Sequence, residues 1–301
     1  ITLLFATDDN LIKAAIIFGI YALLFFGYAL RYFPQYAYNA HGALFLVVIY
    51  VLRDQNATRW LAPLISLSVL YYVIGLGLER AGQGLGWVDV YRYSGMAFAT
   101  GVAVSAPFED SGLAASLPVV IAAVLFTVEA FKKRNVWLGF PANALYLMAY
   151  FMILLNFEVD QPQFFSVGAA VLGMLMHYLL VRSGSKTGAF VTGMLSQLTL
   201  LSTTYIQMVA EEKLLFFAVL FFQALVVLVY GIVIRSRSLV ITPIIFLVIG
   251  VLTITFGLLE GLPSILLIGC TGVFLIAFGI GALLLREKFT ALRDQLDHWN
   301  A

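Results

Sequence analysis

The strongest candidate for chemistry in this sequence is a pair of opposite charges between Trp87 and Tyr93. Asp89 and Arg92 stand three residues apart, so on a helix they share a face and neutralise each other. At a membrane surface such a pair predicts a gate or a contact to a lipid headgroup. The neighbouring Trp87, Tyr91 and Tyr93 favour the alternative, an aromatic belt that anchors a helix at the interface.

Two histidines are the next candidates, because imidazole ligates metals and haem iron. His41 and His177 lie in apolar segments and could together ligate a haem axially or coordinate a chlorin or a metal. A histidine in such a segment is more often a packing residue that hydrogen-bonds a neighbouring helix. We therefore predict no cofactor and no metal, and we keep haem or chlorin ligation by His41 and His177 as the alternative.

Hydroxyl and amide side chains concentrate in residues 188–208, where Thr192, Ser196, Thr199 and Thr203 recur at helical spacing. Such a stripe predicts either a hydrophilic transport path or hydrogen bonds that hold helices together, and we favour the second. With two amides from other segments, the candidates for a path are Thr192, Ser196, Gln197, Thr203, Gln223 and Asn143.

Motifs of membrane enzymes and cofactor proteins are absent from the sequence. It contains no His-Glu-x-x-His, no Asp-rich diphosphate motif, no Cys-x-x-Cys-His and no phosphate-binding Gly-x-x-x-x-Gly-Lys. We also expect charged groups to be nearly absent from the apolar segments, where unpaired charge is costly. The sequence therefore predicts no catalytic residue and favours a protein without enzymatic activity.

The composition predicts a membrane protein. Of 301 residues 62% are hydrophobic and 11% are charged, and the mean hydropathy is +0.99, whereas soluble domains have about 25% charged residues. The apolar runs are unbroken over about 20 residues, which is the length of a transmembrane helix rather than of a barrel strand. The net charge of +1 gives no reason to expect nucleic acid, so the predicted partner is the lipid bilayer.

The fold class predicted is an all-α polytopic bundle of about eleven spans, built of short-looped helical hairpins. Residues 1–285 form the transmembrane domain, and residues 286–301 form an amphipathic tail helix at the interface. The predicted spans are residues 11–31, 38–52, 60–78, 88–106, 113–131, 136–156, 164–181, 188–208, 214–234, 239–259 and 263–285.

The loop charges predict the orientation. Thirteen of the seventeen basic residues fall on one side of these spans and ten of the sixteen acidic residues on the other, which places the C-terminus in the cytoplasm and the N-terminus outside. The odd-numbered spans end about 50 residues apart, at Arg31, Arg80, Arg134, Arg182, Arg235 and Arg286. This period indicates either a true hairpin repeat or simply spans of ordinary length with short loops.

Small residues four apart predict close helix packing. They include Gly95 with Ala99 and Ala97 with Gly101. Together these features favour a non-enzymatic scaffold or accessory subunit in a bacterial cytoplasmic membrane. Its expected partners are other membrane subunits or its own copies, and a lipid or a hydrophobic molecule is a candidate ligand. The alternatives are a secondary transporter with its path along the eighth span and an enzyme that acts on a lipid-linked substrate with Asp89, Arg92 and the cytoplasmic loops.

Overall fold

The computed structural model describes residues 10–55, 59–108, 112–211 and 214–259. Within these ranges the chain forms ten long α-helices joined by short turns, and it contains no strand. The helices are α1 Leu11–Arg31, α2 Tyr36–Asp54, α3 Leu61–Arg80, α4 Leu85–Ser105, α5 Ser116–Lys133, α6 Gly139–Asn156, α7 Pro162–Arg182, α8 Lys186–Glu211, α9 Leu214–Ile234 and α10 Ser238–Leu259.

The first ten predicted segments are confirmed as helices, and their bounds agree with the observed ones to within three residues. The agreement arises because each apolar run ends at charged or turn-forming residues, which are easily recognised in a sequence. The predicted eleventh span, residues 263–285, and the predicted tail helix, residues 286–301, lie outside the described residues.

Four of the odd-numbered helices end in the same local structure. The first or second residue after each helix has a positive φ between 49° and 81°, and the amide of the residue that follows it donates to the carbonyl five residues earlier at 3.0 Å in all four. This bond satisfies one of the carbonyls that a helix end leaves unpaired. The left-handed residues, which follow α3, α5, α7 and α9 in that order, are Gly82, Arg134, Gly184 and Arg235.

Seven of the helices are long and apolar enough to cross a membrane: Leu11–Arg31, Leu61–Arg80, Gly112–Lys133, Val136–Asn156, Pro162–Arg182, Leu215–Ile234 and Ser238–Thr255. Large apolar side chains such as Leu23 and Val233 are about three-quarters exposed, whereas the carboxylate of Glu129 is fully buried. In soluble proteins large apolar side chains are mostly buried and carboxylates are mostly exposed. The opposite arrangement here fits a chain that is surrounded by lipid. The described residues are thus helical throughout apart from the turns, and the chain is an integral membrane protein.

The three helices outside this set, α2, α4 and α8, are more polar. Their buried polar side chains include His41 on α2, Arg92 on α4 and Gln197 on α8. Part of their lower hydropathy thus comes from polar groups that pack inside the protein. That these helices also cross the membrane stays a prediction.

The chain divides into two compact units, residues Ile1–Val159 and Asp160–Ala301. The first contains α1 to α6, and the described part of the second contains α7 to α10. In both units the closest packing is between consecutive helices, as α1 with α2, α3 with α4, α5 with α6, α7 with α8 and α9 with α10. The helical hairpin is therefore the packing unit.

Glycine permits the close crossing of α3 and α4. A Cβ atom at Gly95 would lie 2.7 Å from the carbonyl oxygen of Ser68 and 2.8 Å from the amide nitrogen of Tyr72. Because both atoms belong to the backbone of α3, a side chain at this position would force the two helices apart. The small-residue spacing of the sequence thus coincides here with an intramolecular helix contact.

We expect the substitution Gly95→Ala to destabilise the first unit by about 1–3 kcal/mol, because the added methyl group overpacks a backbone contact. Gly101→Ala on the same helix is the matched control, since no atom lies within 4 Å of its Cβ position. Thermal unfolding of the purified variants in detergent measures both changes. Equal melting temperatures for the two variants would contradict this packing.

Candidate functional site

The most deeply buried charge in the described residues is Glu129 on α5, whose side chain has no exposed surface. Its carboxylate forms a salt bridge with Arg92 of α4, which is itself only 4% exposed. The hydroxyl of Tyr72 on α3 donates a hydrogen bond of 3.0 Å to the same carboxylate oxygen. A carboxylate without such partners would be very costly inside a membrane protein. The three side chains therefore tie α3, α4 and α5 together.

Arg92 extends this contact towards the end of α3. One of its guanidinium nitrogens, Nη1, lies 3.3 Å from Oε2 of Glu79. The same Glu79 oxygen forms a salt bridge with Lys132, and both of these side chains are about one-third exposed. The ion pairs thus run from a fully buried carboxylate to the surface.

Lys133 provides a second connection to the surface. Its Nζ lies 3.4 Å from Oε1 of Glu129, one helical turn earlier on α5. It also lies 3.9 Å from Oδ1 of Asp89 on α4, and it donates a hydrogen bond to the hydroxyl of Tyr93. A single lysine therefore bridges α4 and α5.

These contacts form what we call the charge network, which consists of six residues: Glu79, Asp89, Arg92, Glu129, Lys132 and Lys133. Three carboxylates balance three basic groups, so the formal sum of charge is zero. Each member contacts at least one member of opposite sign. Buried charges are tolerated when they are paired in this way, and their main effect is to fix which groups meet.

The local sequence makes room for the network at Gly75 of α3. A Cβ atom there would lie 2.5 Å from Cγ of Arg92 and 3.0 Å from its amide nitrogen. The absence of a side chain lets the arginine stem pass across α3, where its guanidinium carbon lies 6.0 Å from the ring centre of Tyr72. A larger residue at position 75 would displace Arg92 from Glu129.

The structure brings Asp89 and Arg92 into one network but gives them different partners. Arg92 contacts Glu79 and Glu129, whereas Asp89 faces Lys133. Neither Glu79 nor Glu129 was among the predicted site residues, and Glu129 is a charged side chain within the predicted span 113–131. The sequence contained one sign of this contact, because Glu129 and Lys133 are four residues apart and therefore share a helix face. A role of Asp89 in lipid-linked chemistry stays a prediction.

His41 is buried between α2 and α4. Its Nδ1 lies 3.0 Å from the hydroxyl oxygen of Ser94, and its ring packs against Tyr71 and Tyr91 with centroid distances of 4.3 and 4.4 Å. Its Nε2 is buried and has no hydrogen-bond partner. These contacts are those of a packing histidine.

His177 is fully buried in the second unit. Its Nδ1 lies 2.7 Å from the carbonyl oxygen of Ala189 on α8, so this nitrogen carries the proton and donates. The two histidines thus belong to different units, each with its own neighbours. The described residues contain no group of three or more His, Cys, Asp or Glu side chains able to hold a metal ion. Haem or chlorin ligation by His41 and His177 stays an untested alternative.

Two of the predicted path residues on α8, Ser196 and Gln197, are buried. Ser196 donates a hydrogen bond of 2.7 Å to the carbonyl of Ala170 on α7, which is an interhelical contact. Gln197 donates from Nε2 to the carbonyl of Gly193 on its own helix at 3.0 Å. The amide oxygen Oε1 of Gln197 is buried and has no hydrogen-bond partner.

The other predicted path residues are Thr192, Thr203, Gln223 and Asn143, and those with printed hydrogen bonds have separate partners. Thr203 donates to a carbonyl of its own helix, and Gln223 on α9 accepts a hydrogen bond of 2.7 Å from Thr204. Thr204 was not among the predicted residues although it is fully buried. Thr192 is half-buried on α8, and Asn143 is half-buried on α6 in the other unit.

Comparisons with protein-family models, with curated proteins and with solved structures find no match to this chain. Its function is therefore inferred from its own residues. Among the described residues, the charge network is the site with the largest number of interacting charged side chains.

We expect Glu129→Gln to lower the free energy of unfolding by about 3–5 kcal/mol, because Arg92 would lose its buried counter-charge. Glu158→Gln is the control, since Glu158 is an exposed carboxylate in the turn after α6. Thermal melting in detergent compares the two variants. If Glu129→Gln melted at the temperature of Glu158→Gln, the network would contribute nothing to the fold.

Proposed function

We propose that this chain is a non-enzymatic, multi-pass membrane protein that serves as a scaffold or accessory subunit of an assembly in a bacterial cytoplasmic membrane. The observation that carries this proposal is the self-neutralised charge network of α3, α4 and α5. A site that acts on a substrate needs polar groups that are free to contact it. Here the charged groups pair with one another, so their effect is to hold three helices in one arrangement.

The proposal includes eleven membrane spans: the seven apolar helices, the more polar helices α2, α4 and α8, and residues 263–285. The helices α2, α4 and α8 contain 19, 21 and 26 residues, and helices of about 20 residues match the bilayer core. Each is joined by a short turn to a helix that is apolar enough to cross, and packs closely against it. A crossing helix and its close partner share the same depth in the bilayer.

The proposed orientation places the charge network at the cytoplasmic surface. The network lies at the ends of α3 and α5 and at the start of α4, next to Arg80 and Arg134. Basic residues at helix ends are retained on the cytoplasmic side. This orientation puts the N-terminus outside and the C-terminus in the cytoplasm.

The exposed apolar surface supports a role in assembly. Side chains such as Leu30 on α1 and Val104 on α4 are more than half exposed, and lipid or another membrane protein covers such surfaces equally well. A rigid bundle whose charges are internally neutralised presents this surface in one fixed shape. The proposed partners are other membrane subunits or further copies of the chain.

The test is purification of the full chain in mild detergent, with mass spectrometry of the copurifying proteins and a proton-flux assay in proteoliposomes. We expect a partner or a second copy in fixed ratio and no flux. The variant Arg92→Met/Glu129→Met is the informative comparison, since a structural network predicts that it keeps the partner. A chain that is monodisperse, without partner and active in the flux assay would overturn the proposal.

A secondary transporter is the second candidate, and one observation favours it. Gln197 is fully buried and its Oε1 has no hydrogen-bond partner, although buried polar atoms are nearly always satisfied. In a transporter this oxygen would contact the substrate or a coupled ion. Gln197→Leu and Thr203→Leu would then abolish flux without unfolding the chain. Thr187→Leu, at an exposed position of the same helix outside the polar stripe, would leave flux unchanged.

A further inference from the structure

The second unit has an apolar groove between α7 and α9, near the ends of both helices. The groove has a volume of about 500 Å³, within the range of small-molecule and cofactor sites. Its lining is almost wholly apolar and is made of Met174, Leu175, Tyr178, Tyr230, Val233 and Ile234. A groove of this kind suits a hydrocarbon chain.

Two contacts hold the walls of the groove in place. The hydroxyl of Tyr230 donates to the carbonyl of Met174 at 3.3 Å, which ties α9 to α7. At Gly231 a Cβ atom would lie only 2.7 Å from Cβ of Leu239, so α10 supports α9 from behind. The groove is therefore a preformed feature of the unit.

Basic side chains lie at the end of this groove. Arg182, the last residue of α7, has Nη1 at 3.4 Å from the hydroxyl oxygen of Tyr178, which lines the groove. Arg235 directly follows the lining residue Ile234, and Lys186 begins α8 after a three-residue turn. All three basic side chains are exposed.

Carboxylates are absent from this end of the described second unit. The sequence has no Asp or Glu between Asp160 and Glu211, or between Lys213 and Glu260. Asp160 precedes the start of α7 and Glu211 ends α8, so both lie at the opposite end of the helices. Among the described residues of the second unit, the charge beside the groove is thus positive, which is complementary to a phosphate group.

We propose that the α7–α9 groove binds one anionic phospholipid, with an acyl chain along the groove and the phosphate at Arg182 and Arg235. The proposal rests on the membrane location and orientation given under the proposed function, and it adds a defined ligand. Selectivity comes from the headgroup, because any lipid in the bilayer offers an equivalent hydrocarbon chain. Basic pockets at helix ends are known sites for anionic headgroups.

Native mass spectrometry of the full chain, titrated with phosphatidylglycerol or with phosphatidylcholine of the same acyl chains, tests the proposal. We expect one phosphatidylglycerol to remain bound at concentrations where phosphatidylcholine does not. Arg182→Gln and Arg235→Gln should each weaken this binding about fivefold. Arg80→Gln, which removes an exposed arginine from the first unit, should leave it unchanged.

A second variant separates the groove from general surface charge. Val233→Trp should fill the groove and remove the retained lipid, whereas Val229→Trp, one turn earlier at an exposed position outside the lining, should retain it. Equal binding by these two variants, or equal retention of the two lipids, would overturn the proposal. The proposal would also be overturned if Val233→Trp changed the monomer–dimer ratio and left lipid binding intact, since the groove would then contact another copy of the chain.

Failure of this inference can be distinguished from failure of the proposed function. Extraction of membranes with alkaline carbonate shows whether the chain is integral, and partner retention is measured separately. A chain that stays in the membrane and keeps its partner, but shows no lipid preference, would contradict only the groove proposal. A chain released by carbonate would contradict both.

Discussion

The salt bridge between Glu129 and Arg92 is the interaction on which the arrangement of the first unit depends. A carboxylate with no exposed surface is tolerated in an apolar bundle only if its charge is neutralised where it lies. Because its partners come from α3 and α4, this requirement fixes three helices at once. Apolar packing alone constrains helices less, since lipid tails are as apolar as the side chains that face them.

The small residues of α3 and α4 follow from the same constraint. Gly75 leaves space for the stem of Arg92, and Gly95 lets the two helices cross with their backbones in contact. The bundle therefore combines close backbone contact with a buried ion pair at adjacent points of one interface. A partner or lipid bound to the apolar exterior therefore contacts a unit whose internal helix packing is fixed.

Much of the fold could be predicted from the sequence, but the pairing within the site could not. The bounds of α9, 214–234, were predicted to the residue because an apolar run of this length between basic residues has one interpretation. The partner of Arg92 was not, since Glu129 lies 37 residues away on another helix, and only local spacing can be read from one sequence. In the same way Ser196 bonds to the neighbouring helix whereas Thr203 bonds to its own, although both belong to one stripe. Side-chain direction decides this difference.

Arg92 and Glu129 stabilise the bundle through each other. A double-mutant cycle with Arg92→Met, Glu129→Met and the combined variant measures their interaction free energy from unfolding in detergent. We expect a coupling of at least about 1 kcal/mol, with the combined variant more stable than the sum of the single losses implies. Losses that simply add would contradict it, because two residues without a shared interaction show no coupling.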